Sequence, residues 1–541
     1  MNRSILLGLF ILLLGIGVGW LITRDAVEAN SEAADNNHKK TVGDSNHAVI
    51  SRLPENLGPR VKKNSPLEDL LSIRNERIIS FSSDDAYRKA IALLEGSDFK
   101  ILGKLNRFRS LRISGKDLRS LDDLLDEDAT IASNFVVSIP LVPDPDPETG
   151  SAGVAFGSAA LEFLNITGDN SKWGKGVKIA IIDTGVAPHI ALPDGIQKIV
   201  VDGVAEGELH GHGTAVTSLI VGQHSRVPGI APSAPILSIQ VADSTGSSNS
   251  FLLAKGIIAA VDNGAQVINI SMGSYGDSGL VREAISYAQS AGSVIVASAG
   301  NDGFNFAANP AAYDGVISVG AIDATGTHMS FSNQSADLSL TAPGVGPTAA
   351  WPGDQSISFT GTSASAPFVS GTLAAIISES PYPITGAQAG EILLNYTNDA
   401  GDYGNDSSYG SGYLDVGRVM ERATPGIVDL AVTSYNYELN SVSAFGNGLQ
   451  IGIENQGTES VQGGQLIVNV DGGSYPVNLP TLSVNERHLA TLPVGQSTLN
   501  DTGSLPVSSS ITFSTETTDA QPSNNRRSEI ITLPSSSNDG P

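Results

Sequence analysis

The chain has 541 residues, 40% hydrophobic and 16% charged, which is globular material too long for one ordinary domain. Its formal charge of -25 argues against a nucleic-acid partner, which calls for a basic patch. With no cysteine there is no disulfide framework, thiolate metal site or thiol nucleophile, and eight histidines are left for general-base chemistry.

Residues 1–29 read as a targeting segment: Arg3, then an uncharged run from Ile5 to Ile22, then Thr23-Arg24-Asp25. Two readings stand side by side. One is a signal peptide cut after Val27-Glu28-Ala29; the other is a retained anchor that attaches the protein to a membrane through residues 5–22. Both predict export, to an extracellular, periplasmic or cell-surface location. Residues 30–76 are polar and unpatterned, a spacer. Over residues 77–142 the pattern predicts a strand at Ile78 to Phe81 and an aspartate-capped helix from Asp84. Paired strands follow near Phe99 and Ser110, a helix from Asp117, and a closing strand at Phe135 to Ile139. That β-α-β-β-α-β order is a ferredoxin-like α+β unit. Residues 143–158, rich in proline then glycine, are a linker.

Residues 159–423 alternate apolar strands with helices. Strands are predicted near Val177, Ile236, Val267, Val294 and Val316, and helices from His212, Phe251 and Leu280. Strands apolar throughout and separated by helices predict a doubly wound parallel sheet covered on both faces, an α/β domain. In such sheets the site lies at the carboxyl ends of the strands. Asp183 and Asn301 end strands, while His212 and Ser363 open helices, so all four fall on one rim. Ser363 stands in Gly361-Thr-Ser363-Ala-Ser-Ala-Pro367; alone it reads better as a helix N-cap, with Pro367 in the first turn. Residues 424–534 change character: short alternating strands punctuated by Asn455-Gln-Gly, Asp471-Gly-Gly and Asn500-Asp-Thr-Gly predict an all-β sandwich, and 535–541 are a tail.

The four rim residues are the parts of a nucleophilic site. A serine hydroxyl needs a base, imidazole serves near neutral pH, and a carboxylate fixes the imidazole tautomer. A side-chain amide can donate to the oxyanion of a tetrahedral intermediate. His210 is a rival for the base.

The motifs around these residues resemble those of the subtilisin-like serine proteases (subtilases): Ile181-Ile-Asp183-Thr-Gly, His212-Gly-Thr, Ala299-Gly-Asn301-Asp and Gly361-Thr-Ser363. The triad order Asp, His, Ser is the subtilisin order. The resemblance implies an exported serine endopeptidase acting on protein or peptide substrates, with Asp183, His212 and Ser363 catalytic and Asn301 in the oxyanion hole. It implies that His212, followed by Gly-Thr, is the base. It implies a primary pocket lined by Ser271, Met272, Gly273, Ala299, Gly300 and Ala308, with room for a medium or large apolar side chain; Asp302 at the rim would favour a basic one. Residues 77–142 resemble the subtilase propeptide, so the protein's own propeptide is its expected inhibitor, cut in the linker between Pro143 and Gly157. Substrate would pair with strand edges at Ser247–Asn249 and Ser271–Gly273. No cofactor is expected. Many subtilases bind calcium, but Ser339 replaces an aspartate of one site and the loop Gly222–Pro228 is short for another. Residues 424–534 resemble CARDB-like adhesion modules. The alternatives are a catalytically silent scaffold binding a surface through that sandwich, an esterase, which would show a Gly-x-Ser-x-Gly motif absent here, and a sandwich that only stabilises its neighbour.

Overall fold

The computed structural model describes residues 66–125, 128–141, 153–205, 207–438, 448–493, 504–513 and 518–532. The expected leader (1–29), the spacer up to residue 65, linker residues 143–152 and the tail lie outside the described residues. Among the described residues no helix is long and apolar enough to cross a membrane.

The first part runs α1 (Pro66–Leu71), β1 (Ser72–Phe81), α2 (Asp84–Glu95), β2 (Lys100–Leu105), β3 (Ser110–Ser114), α3 (Leu121–Leu124) and β4 (Ala129–Ser138). Its strands lie antiparallel in the order β4-β1-β3-β2. Strand β1 begins at Ser72, so the polar stretch expected to reach residue 76 ends sooner. Its charges mislead, because Glu76 is buried and takes two hydrogen bonds from Arg112, at 2.7 and 2.8 Å. The cap of α2 is Ser83 rather than aspartate; its Oγ accepts the N–H of Ala86, and Asp84 falls in the first turn, where its charge suits the helix dipole. Only four residues of the expected helix after Asp117 are α-helical, preceded by a turn of 3₁₀ helix.

The central part is built on β5 (Ile179–Asp183), β6 (Gln197–Val200), β7 (Ile236–Gln240), β8 (Ser247–Asn249), β9 (Val267–Ile270), β10 (Val294–Ser298), β11 (Val316–Ile322) and β12 (Leu340–Pro343). Seven of these form one parallel sheet, β12-β11-β10-β9-β5-β7-β6. Side chains alternate across it. Ile179 and Ile181 join the core under α4 (His212–Val221) and α7 (Thr362–Glu379), with Phe368 and Leu373. Ala180 and Ile182 face α5 (Ser250–Asp262) and α6 (Gly279–Ser290), with Phe251 and Ile257. Strand β8 leaves this sheet and pairs with β4 instead. Ile78, Leu105, Val137 and Ile139 of the first part are buried in the core of the α5/α6 face. Asn134, fully buried, reaches the start of α5: its Oδ1 accepts from Ser250 Oγ (2.9 Å) and the N–H of Phe251 (3.2 Å), and its Nδ2 donates to Glu76 (2.7 Å).

The last part is a β-sandwich, as its turn signals predicted. Labelled after an intervening hairpin, β13 (Thr348–Trp351) and β14 (Gln355–Ser358), its strands are β15 (Leu430–Glu438), β16 (Gly448–Asn455), β17 (Gln465–Val470), β18 (Gly473–Asn478), β19 (Arg487–Pro493), β20 (Ser504–Thr512) and β21 (Arg526–Thr532). Sheets β15-β16-β19 and β18-β17-β20-β21 enclose Leu449, Ile451, Leu466, Val468 and Leu505. The sandwich meets the central part through buried charges. Glu454 accepts from Arg418 (3.3 Å) and Arg487 (3.2 Å), and Arg487 also pairs with Asp399 at 3.1 Å.

Candidate active site

Strand β5 ends in Asp183, whose side chain is buried. Helix α4 begins with His212 after Gly211, and its Nδ1 lies 2.9 and 3.0 Å from the two carboxylate oxygens of Asp183. A carboxylate only accepts, so Nδ1 carries the proton and Nε2 presents a lone pair, the tautomer a general base needs. The residues around the pair interlock. Thr184 donates its backbone N–H to Asp183 (2.7 Å), and its hydroxyl accepts the N–H of Gly213 (3.1 Å). A side chain at Gly213 would put its Cβ 2.4 Å from the carbonyl of Gly185, which explains why glycine follows the histidine. His210 lies beside the pair: its Nδ1 accepts the N–H of His212 (3.2 Å), and its ring stands edge-on to Trp351.

Ser363 is the second residue of α7. The N-cap is Gly361, at φ 134°, so the reading of Ser363 as a cap does not hold. Pro367 lies in the second turn rather than the first and removes the N–H that would reach the Ser363 carbonyl; the Ser271 hydroxyl donates to that carbonyl instead (3.3 Å). Ser363 Oγ in turn donates to the Ser271 carbonyl (3.1 Å). Asn301 follows the end of β10. Its Oδ1 accepts from the N–H (2.9 Å) and hydroxyl (2.8 Å) of Thr362, which turns its Nδ2 toward the cleft, where it donates to the Leu141 carbonyl at 3.2 Å. A Cβ on Gly361 would stand 2.6 Å from that Nδ2.

The cleft is filled by the chain's own residues 136–141. Ser138 exchanges two 3.0 Å hydrogen bonds with Gly273, Ile139 donates to Gly246 (3.1 Å), and Ser248 and Asn249 pair with Val137 and Val136. Antiparallel ladders repeat such double exchanges every second residue, so the next would join residue 140 to Ser271. Residue 140 is proline and has no N–H, and the Ser271 carbonyl holds the Ser363 hydroxyl.

Of the expected pocket residues, Ala299 accepts the N–H of Ala308 (2.8 Å), and a Cβ on Gly273 would lie 3.1 Å from that of Ala308, so the two walls approach closely there. Ser271 and Gly300 are buried beside them. Met272 and Ala299 both have no exposed surface and lie in the core of the α5/α6 face. Asp302 accepts the hydroxyl of Tyr275, whose titration burial and the Asp302 charge push well above the usual tyrosine range, so it stays a donor. Thr362, Tyr275, Asn333 and Leu141 were not singled out from the sequence; only the Gly-Thr-Ser context pointed near Thr362. Neither of the two calcium positions offers a carboxylate: one is Ser339, and the loop reads Gly222-Gln-His-Ser-Arg-Val-Pro228. The Ser339 hydroxyl accepts the N–H of Ser318 (3.1 Å), and the loop at 222–228 closes as a two-residue ladder, Gln223–His224 on Val227–Pro228.

Residues 174–412 match the profile of the Subtilase family. A thermostable alkaline protease of Halalkalibacterium halodurans is 32% identical over 270 residues, covering 48% of this chain and 73% of that protein. Subtilisin DY of Bacillus licheniformis is 35% identical over 257 residues, covering 45% of this chain and 90% of its own length. Among solved structures, fervidolysin from Fervidobacterium pennivorans, a keratinolytic enzyme related to subtilisin, aligns with a TM-score of 0.55 over 85% of this chain and 90% of its own; at 18% identity that likeness speaks for fold alone.

Proposed function

The chain belongs to the subtilase family of serine endopeptidases, and from that premise we propose that it is an exported, self-inhibited precursor whose first substrate is its own segment 136–141. The observation that carries this reading is the hydrogen bond from Asn301 Nδ2 to the Leu141 carbonyl. A donor there would stabilise negative charge on that oxygen when the carbon is attacked.

In the proposed reaction Ser363 Oγ adds to the carbonyl carbon of the residue before the cut while His212 Nε2 takes its proton. Asp183, already bonded to Nδ1, stabilises the imidazolium. The imidazolium then protonates the departing amine and the C–N bond breaks, leaving an acyl ester on Ser363. Water, deprotonated by His212, releases the acid and restores the serine. The bond presented is Leu141–Val142, just ahead of the linker in which the cut was expected. A leucine stands before that bond, so the proposed preference is for medium-sized apolar side chains. Export rests on the apolar run at residues 5–22; the same run, if retained, would anchor the protein. The sandwich is proposed to stabilise the catalytic part, because buried ion pairs and hydrogen bonds such as Thr433 to Asp399 (3.0 Å) join the two.

Treatment with an organophosphonate tests the assignment. Modification on Ser363, with casein hydrolysis lost in proportion, is expected; labelling elsewhere, or hydrolysis surviving full labelling, would remove Ser363 from the role.

A further inference from the structure

The loop that carries Asn301, residues 299–304, is wrapped around one buried side chain. Asn333 has no exposed surface and uses both ends of its amide on this loop. Its Oδ1 accepts the N–H groups of Asp302 (3.1 Å) and Phe304 (3.0 Å). Its Nδ2 donates to the Ala299 carbonyl (3.0 Å) and to the Tyr275 hydroxyl (2.9 Å), and its backbone N–H donates to the Gly300 carbonyl (3.1 Å). The bonds fall on both sides of Asn301 in sequence: Ala299 and Gly300 before it, Asp302 and Phe304 after it. Gly300 has φ 110° and no room for a side chain, since a Cβ there would stand 2.3 Å from Asn333 Nδ2. Tyr275, the other partner of Nδ2, bonds Asp302 in turn and packs against Phe304 and Phe306.

We propose that Asn333 is the positioning residue for Asn301: it fixes the loop so that the Asn301 amide is held at the oxyanion site before substrate arrives. The proposal rests on the oxyanion role proposed for Asn301. Asn333 touches neither the Leu141 carbonyl nor the Ser363 hydroxyl by any hydrogen bond among the described residues, so it acts only through the loop. All four hydrogen-bonding directions of its side-chain amide are taken, and a buried amide so committed holds its partners in one geometry. Oxyanion stabilisation depends on such preorganisation, because a donor displaced by about 1 Å no longer meets the developing charge. The second anchor of Asn301, its Oδ1 to Thr362, sets the amide's rotation; Asn333 sets the position of the backbone that bears it.

The test is a kinetic cycle on the mature enzyme with a peptide anilide. Asn333→Ala is expected to lower kcat about 10–100-fold, short of the full loss of an oxyanion donor, with KM within about twofold. In an Asn301→Ala background the same substitution is expected to cost under about threefold more, since the group it positions is gone. Equal losses in both backgrounds, a loss confined to KM, or no loss would overturn the positioning role. If Asn333→Ala does not fold, Tyr275→Phe removes one of the two Nδ2 partners and is held to the same criterion, a kcat loss that vanishes without Asn301. If Asn301→Ala itself leaves kcat unchanged, the oxyanion reading fails and takes this proposal with it; a large Asn301 loss with an independent Asn333 loss sinks the positioning role alone.

Discussion

Asn301 and Leu141, separated by 160 positions in the chain, meet through a 3.2 Å hydrogen bond from side-chain amide to backbone carbonyl. That bond singles out one peptide linkage among many in reach. Mass spectrometry of the ripened wild-type protein is expected to find Val142 as the first new N-terminus, before any trimming into the linker. The Ser363→Ala protein, made in a host without related proteases, should keep the linkage intact. A first cut elsewhere, or ripening of purified Ser363→Ala, would contradict the presentation inferred here.

Pro140 bears on how fast that cut occurs. Pro140→Ala would supply the N–H that the Ser271 carbonyl lacks and release Ser363 Oγ from it. The new bond replaces the one Ser363 gives up and frees its hydroxyl to turn toward His212 Nε2; with the release worth about one hydrogen bond, about 0.5–1.5 kcal/mol, self-cleavage is expected to quicken about 2–10-fold. Time courses of the purified precursor on gels would measure it, and an unchanged half-life would count against the role.

Replacing Asn301 by Ala should reduce kcat about 10²–10³-fold with little effect on substrate affinity. Ser363→Ala should retain only about 10³-fold acceleration over water, from the oxyanion site and binding. Steady-state assays separate the two; turnover by Ser363→Ala above a few per cent of wild type would be incompatible with the mechanism.

Asn134, from the first part of the chain, accepts from the first two residues of α5 while bonded to Glu76. Asn134→Ala leaves the Phe251 N–H and the Ser250 hydroxyl without their acceptor in a buried contact, a cost of about 1–3 kcal/mol. Residues 66–141 added in trans should then inhibit about 10–100-fold more weakly than the unaltered segment. Equal inhibition constants would mean that the strand in the cleft alone determines affinity.

The sandwich itself carries a pH signature. Burial pushes the Asp429 carboxyl up to about 7, with Asp519 beside it adding to the effect, while Asn524 donates to it at 2.8 Å. A carboxyl whose folded pKa is raised binds more protons folded than unfolded, so stability falls as pH rises between about 4 and 7 and stays lower above. Asp429→Asn keeps the acceptor for Asn524 and has no charge to desolvate. Its Tm should exceed that of wild type at pH 8 and converge toward it near pH 4. A difference independent of pH would exclude Asp429 as the source.

What the sequence determined alone is the chemistry and the layering. Asp183, His212, Asn301 and Ser363 sit beside glycines and threonines whose spacing is local, and strands such as Val267–Ile270 are apolar at every position because helices cover both faces of the sheet. Both signals are written within a few residues of where they act. The tertiary structure decided everything that joins distant segments. Glu76 looked like spacer because its partners, Arg112 and Asn134, lie 36 and 58 positions away. Asn333 carries no local signal, although its amide bonds a segment about 30 positions earlier. Leu141 shows nothing in its neighbours to mark it, since only the pairing of Ser138 with Gly273 and Ile139 with Gly246 brings its carbonyl to Asn301. Side-chain type fixes what a residue can donate or accept, but which partner it meets depends on the register of strands and the packing of helices, and no short stretch of sequence encodes those.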